Sequence, residues 1–310
     1  MRDDGGNPMT QISLAPGSVR NAALMERAVK GRSLWDDARR RLFRNRAAVA
    51  SMIILGLLVL CALIGPFLTP YAYDEINKND VWLGPLTGEH LIGSDSLGRD
   101  LLARLFTGLG VSLAIGAVAT TVSLVIGVAW GATAGYLGGV VDEVMMRIVD
   151  VLYSLPYIFF VIILMVTFGS NFILLFIAIG AVEWLTMARI VRGQTLSLKQ
   201  KEFIEAARAA GLTRTAIIAR HIVPNLLGPV VVYVTLTIPG VILAESFLSF
   251  LGLGVQPPMA SLGTLISNGA QDMELAPWLL IFPSLTMVVT LMCFNFIGDG
   301  LRDAIDPKDR

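Results

Sequence analysis

Few residues in this chain are of a type and in a place to do chemistry. Two carboxylates, Glu183 and Glu245, stand inside apolar stretches. A charge there is expensive, so each points to a pathway or a pairing role. His90 and His221 stand alone, with no second ligand at metal spacing, and no metal site is expected. Cys61 and Cys293 each sit within an apolar run and read as packing residues. No Gly-x-x-x-x-Gly-Lys-Ser/Thr phosphate loop occurs, so the chain is not expected to hold ATP itself. Two histidines far apart assemble no Ser-His-Asp arrangement. The expectation is a chain that is not an enzyme alone.

One polar island breaks the apolar pattern: Glu202-Phe-Ile-Glu-Ala-Ala-Arg-Ala-Ala-Gly211, continuing through Leu212 to Ile222-Val-Pro224. Glu, Ala and Arg favour a short helix over 202–210, and Gly211 can supply the left-handed stop. A second helix is expected from Thr213 or Thr215 as N-cap, ending before Pro224. Ala206, Ala207, Ala209 and Ala210 leave a nearly bare surface, with Glu205 and Arg208 offering charge at its edge. That suits a helix docking in a partner's groove.

The elements that must position this island are membrane spans. Of 310 residues, 55% are hydrophobic and 15% charged, against about 25% charged in ordinary soluble domains; mean hydropathy is +0.69. Six spans are expected, over 47–67, 111–136, 148–168, 172–188, 226–248 and 277–297, each near the roughly 20 residues needed to cross a bilayer. The fold class is therefore an all-α integral membrane protein. Its parts are a segment over 1–46, helical from about residue 33, a first span with a following segment over 47–110, a five-helix core over 111–297 carrying the loop at 189–225, and a tail over 298–310. Lys and Arg set the orientation. Ten precede residue 47, with Arg147, seven from Arg189 to Arg220 and three in the tail on the same side; only Lys78, Arg99 and Arg104 fall opposite. A positive side of this kind faces the cytoplasm, which puts both termini and the island inside. The basic run Arg39-Arg40-Arg41, Arg44 and Arg46 also suits anionic lipid.

Other features read as scaffolding. In His90-Leu-Ile-Gly-Ser-Asp-Ser-Leu-Gly-Arg-Asp100, Gly93 and Gly98 permit tight turns, Asp95 can cap a helix, and Arg99 and Asp100 can pair across a turn. Gly127, Gly131 and Gly135 line one helix face and permit close packing. Asp142, Arg147 and Asp150 stand at helical spacing and can pair. Pro156 is expected to kink the third span, and Pro239-Gly240 is a candidate break that would line a cavity. Glu183 is expected near the end of its span, paired with Arg189. Glu245 either lines the path or caps a neighbouring helix.

The Glu205-Ala-Ala, Gly211 and Ile222-Val-Pro224 pattern resembles the EAA motif of bacterial ABC-importer permeases. The segment from His90 to Arg104, the run Leu243 to Pro258 and the carboxyl-terminal Phe294 to Pro307 are similar to C-type permeases of the dipeptide, oligopeptide and nickel family. The resemblance runs from about residue 38 to 308. One departure is that Ala260 and Leu262 stand where the family often has Pro and Trp. The resemblance implies a type I ABC-importer permease fold in the bacterial inner membrane, forming half of a pathway for peptides, with nickel or another small solute as the alternative. It implies that Glu202, Glu205, Ala206, Ala207, Arg208, Gly211 and Leu212 couple to two cytoplasmic ATPases, which hold ATP and Mg. A homologous B-type permease and an external solute-binding protein complete the set; no nucleic acid is implied. A secondary transporter would instead show midplane ion sites and repeated halves.

Overall fold

The structure, a computed structural model, describes residues 34–169 and 172–305. The polar segment before residue 34, the Ser170-Asn171 part of the turn between the third and fourth spans, and the tail from Asp306 onward lie outside them. Eleven α-helices follow one another among the described residues, and no strand is present there. An amphipathic helix α1 (Leu34–Arg44) precedes the first span. Asn45 separates it from α2 (Arg46–Leu68), accepting hydrogen bonds from the amides of Ala47 and Ala48 at 3.1 and 3.2 Å. One extended amide-capping residue thus splits what would otherwise be a single helix.

Helix α3 (Leu101–Leu137) is 37 residues long and begins ten residues earlier than expected, because Asp100 caps it by accepting from the Ala103 amide at 2.8 Å. It is the centre of the bundle, packing on α6 (Phe172–Leu198) and also on α9 (Val223–Phe250) and α2. Ile115, Ala119, Val161, Met165, Ile179 and Val241 meet between α3, α5 (Tyr157–Phe168), α6 and α9, all buried. The expected glycine face is real. A Cβ on Gly127, Gly131 or Gly135 would stand 2.6, 2.4 and 2.8 Å from atoms of Met187, Ala188 and Thr195 on α6. Only hydrogen fits at that approach.

The third expected span is not one helix. It is α4 (Gly139–Ser154) and α5, bent by 78° at Leu155-Pro156. Proline lacks the N–H that would continue the ladder, so the kink predicted at Pro156 is a full break. The break predicted at Pro239-Gly240 is absent: α9 runs through both. Here Ile238 and Ile242 press on Gly116 of α3, and this packing offsets the one bond that Pro239 forfeits.

Nor does the chain stop before Pro224. Helix α8 (Arg214–Ile217), a π turn over Ile218–Ile222 and α9 follow without interruption. The wider turn, in which the Val223 amide donates to the Ile218 carbonyl, absorbs a proline at the second position of α9. A short α10 (Leu262–Gln271) and the last span α11 (Trp278–Ile305) complete the chain. Four helices among the described residues are long and apolar enough to cross a bilayer, or five if α4 and α5 count as one span. They account for four or five of the six expected crossings; α6, 27 residues long, stands where the fourth was expected.

Candidate functional site

The island folds as α7 (Glu202–Ala209), anchored by two side chains. Ile204 is fully buried and Ala207 nearly so, against Tyr136, Val191, Ile217 and Ile222. Ala207 therefore belongs to the body and not to the bare surface. The exposed face is Glu202, Phe203, Glu205, Ala206, Arg208, Ala209 and Ala210, with Leu212 half-buried. Arg208 lies over the Tyr136 ring, 5.2 Å from its centroid. Gly211 has φ +79°, its amide donates to the Arg208 carbonyl at 2.9 Å, and the Leu212 amide donates to Ala207 at 3.2 Å. This paired closure is the Schellman stop, which needs a residue that tolerates positive φ. Thr213 then caps α8, accepting from the Ala216 amide at 3.3 Å. The result is a short helix with one face packed on the bundle and the other exposed.

Beside it, α4 is tied to α6 by ion pairs that sequence spacing assigned differently. Arg192 grips Asp142 with two bonds, of 2.5 and 2.7 Å, and Arg189 bonds Asp150 at 2.7 Å while covering the Tyr153 ring. The acids pair across to α6 and not with Arg147: Asp142 is buried against α6, and Asp150, though exposed, lies within reach of Arg189. Lys199 donates to the Gly135 carbonyl at 2.9 Å. These bonds keep residues 189–198 helical, so Glu183 is the twelfth residue of a 27-residue helix and not near its end. Its expected partner Arg189 is taken by Asp150.

At the opposite end, the segment from His90 to Arg104 is a knot of local bonds. Asp95 does not cap a helix. It accepts from the Leu97 amide at 2.9 Å and from the Arg99 amide at 3.0 Å, and its other oxygen takes the Arg99 guanidinium at 2.7 Å. Asp100, the actual cap, bonds His90 at 2.8 Å, so Arg99 and Asp100 do not pair with each other. Buried Arg104 donates to the Tyr73 carbonyl at 3.3 Å. Gly93 and Gly98 have φ +93° and +72°, and a Cβ on Gly98 would sit 1.7 Å from the Asn77 carbonyl oxygen. Gly93, Asp95, Gly98, Arg99 and Asp100 are thus each engaged in holding the turn.

Glu245 is completely buried and gathers three helices. Ser249 and Ser261 donate to its Oε1 at 2.6 and 2.7 Å, and Ser112 of α3 donates to Oε2 at 3.4 Å. Ser261 is the N-cap of α10 in a reciprocal box with Thr264, and the Leu262 amide donates to Ser112 at 3.0 Å. Ser261 is the residue that caps α10, and Glu245 holds the hydroxyl of that cap. Ser261, a residue type favoured at helix starts, was a readable signal for that cap. At the last helix, Asp299, Arg302 and Asp303 are exposed and make no ion pair among the described residues.

Comparison with known proteins adds the family. The profile of "Binding-protein-dependent transport system inner membrane component" matches residues 123–310, and that of "N-terminal TM domain of oligopeptide transport permease C" matches 33–85. The chain is 52% identical over 311 residues to the oligopeptide transport system permease protein OppC of Haemophilus influenzae, covering 97% of this chain and 100% of that one. It is 57% identical over 283 residues to OppC of Escherichia coli strain K12, covering 91% and 94%. The dipeptide transport system permease protein DppC of Bacillus subtilis is 43% identical over 279 residues, covering 90% and 87%. Among solved structures, an inward-facing MetNI methionine ABC transporter superposes with a TM-score of 0.54 at 19% identity, covering 65% of this chain and 96% of that one, a likeness of fold. With one profile spanning over half of its length and relatives this similar spanning nearly all of it, the chain belongs to the family of binding-protein-dependent transport system inner membrane components, the permeases of ABC importers.

Proposed function

We infer that this chain is one of two permease subunits of an ATP-driven importer of short peptides. The observation that carries the solute class is 57% identity, over nine-tenths of the chain, to a permease named for oligopeptide transport. The partners are a homologous second permease, two cytoplasmic ATPases that hold ATP and Mg, and an external solute-binding protein. Both termini and α7 face the cytoplasm, on the positive side of the charge split. Helix α7 is the coupling element: its exposed Glu202, Glu205, Ala206 and Arg208 offer charge and a low profile to an ATPase groove, while Ile204 and Ala207 fix it to α3, α6 and the π turn. Closure of the ATPases on ATP draws the coupling helices together, and the spans switch access from inside to outside. Gly211 and Leu212 serve by ending α7 sharply.

The test is reconstitution. The permease pair alone is expected to hydrolyse no ATP. Activity appears with the ATPases bound and rises when peptide-loaded binding protein is added. Gradient-driven peptide uptake by the chain without ATPases would overturn the reading.

A further inference from the structure

A cavity of about 440 Å³ lies in the angle of the α4–α5 break, against the middle of α6. Tyr153, Leu155, Tyr157 and Phe160 form its aromatic and apolar wall, and Glu183 and Thr186 line the other side. Two of its polar groups are unspent. Glu183 is half-buried, and no hydrogen bond or ion pair engages it among the described residues. The Tyr157 hydroxyl is buried with no hydrogen-bond partner among the described residues. The neighbouring cation offers nothing to Glu183, since Arg189 is committed to Asp150 at 2.7 Å and to the Tyr153 ring.

An unpaired carboxylate part-way along α6, the helix that stands where the fourth span was expected, is costly, and such residues mark ligand or ion paths. Irregular backbone at membrane depth likewise persists where it lines a cavity. Volume narrows the occupant. Small-molecule sites run from about 300 to 1,000 Å³, so this cavity takes several residues' worth of ligand and is oversized for a single side chain reaching in from another subunit. A carboxylate, a phenol oxygen and aromatic faces together recognise an organic ammonium group with apolar matter attached.

We propose that this cavity is a transient site for the protonated amino terminus of a transported peptide, with Glu183 as its counter-ion and the Tyr157 hydroxyl as a hydrogen-bond acceptor for the same ammonium. The proposal rests on the peptide-import reading above and adds a recognition step inside the membrane, after release from the binding protein. Glu183 neutralises the charge that would otherwise oppose passage, and the ring of Tyr157 replaces part of its water. Tyr153 stays occupied by Arg189 and contributes only apolar wall.

The experiment uses the complete importer in proteoliposomes and reads trialanine delivered per ATP hydrolysed. Glu183→Gln, the same shape without charge, is expected to lower that ratio about tenfold, equivalent to about 1.4 kcal/mol, with ATPase stimulation by loaded binding protein retained. Glu183→Asp keeps part of the ratio, and Tyr157→Phe lowers it less than Glu183→Gln does. An unchanged ratio in Glu183→Gln, while wild type delivers trialanine, overturns the site and leaves the peptide reading intact. Loss of the second permease on purification of Glu183→Gln also overturns it, making Glu183 an interface carboxylate. Wild-type complex that hydrolyses ATP with binding protein yet delivers no trialanine overturns the peptide reading itself, and the proposed occupant with it.

Discussion

Replacing Gly131 with alanine puts a methyl group where the backbone of α6 already stands. The new Cβ would lie 2.4 Å from the Ala188 carbonyl oxygen and 2.9 Å from the Arg192 amide nitrogen. Ordinary non-bonded contacts lie at about 3.5–4.0 Å, so α6 must withdraw by about 1 Å. Overpacking a close-packed interior costs about 1–3 kcal/mol, and an obstacle made of helix backbone cannot rotate aside, which favours the upper figure. Alanine returns up to about 1 kcal/mol of helix propensity, leaving a net loss of about 2 kcal/mol. Gly193→Ala is the internal control: it lies on the exposed face of α6, with nothing within 4 Å of its Cβ, so only the propensity gain applies. Thermal unfolding of the purified proteins in one detergent checks this. Gly131→Ala is expected to melt several degrees below wild type and Gly193→Ala at or above it. Equal melting of Gly131→Ala and wild type would refute the close approach of α3 and α6.

Gly211→Val faces no steric obstacle, but φ +79° is hostile to a β-branched residue, so it should distort the end of α7 at a cost of about 1–3 kcal/mol; uptake by the reconstituted importer falls while membrane insertion, read by fractionation, survives. Gly98→Ala meets both positive φ and the Asn77 carbonyl, at a cost of about 3 kcal/mol or more, and is expected to yield little folded protein by size-exclusion chromatography. Glu205→Lys reverses charge on an exposed position of α7 and is expected to reduce binding-protein stimulation of ATPase activity, leaving solute affinity of the binding protein unchanged in calorimetry. A cysteine at exposed Lys78 is expected to react with an impermeant thiol reagent from outside the cell, and one at exposed Lys201 is not; the reverse pattern defeats the orientation.

Local signals in the chain proved good guides to elements and poorer guides to partners. Gly211 and Thr213 were readable because a left-handed stop and a hydroxyl cap depend on a few neighbouring residues. Gly127, Gly131 and Gly135 were readable because four-residue spacing puts them on one face. What spacing along one helix could not show was a bond to another. Asp142 and Asp150 find Arg192 and Arg189 some forty to fifty residues away, and Glu245 finds Ser112 at a separation of 133. The prolines show the same limit. Pro156, with α4 and α5 both well exposed around it, breaks the helix. Pro239, buried on α9 beside the Ile238 and Ile242 that meet α3, does not. The outcome depends on the surrounding packing, which one residue type does not encode.

From Arg214 to Phe250 the chain forms one stretch of 37 helical residues, about 55 Å at 1.5 Å per residue. Near its far end Glu245 is fastened to α3 and to the start of α10; near its other end it is joined, through Thr213, to α7. Such a rod acts as a lever with its pivot at the fastened end. Each degree of tilt about Glu245 sweeps the Arg214 end, about 46 Å away, by about 0.8 Å, while residues beside the pivot hardly move. A sideways pull on α7 is therefore spent as torque, and the gap it opens is a wedge, widest beside α7 and closed at Glu245.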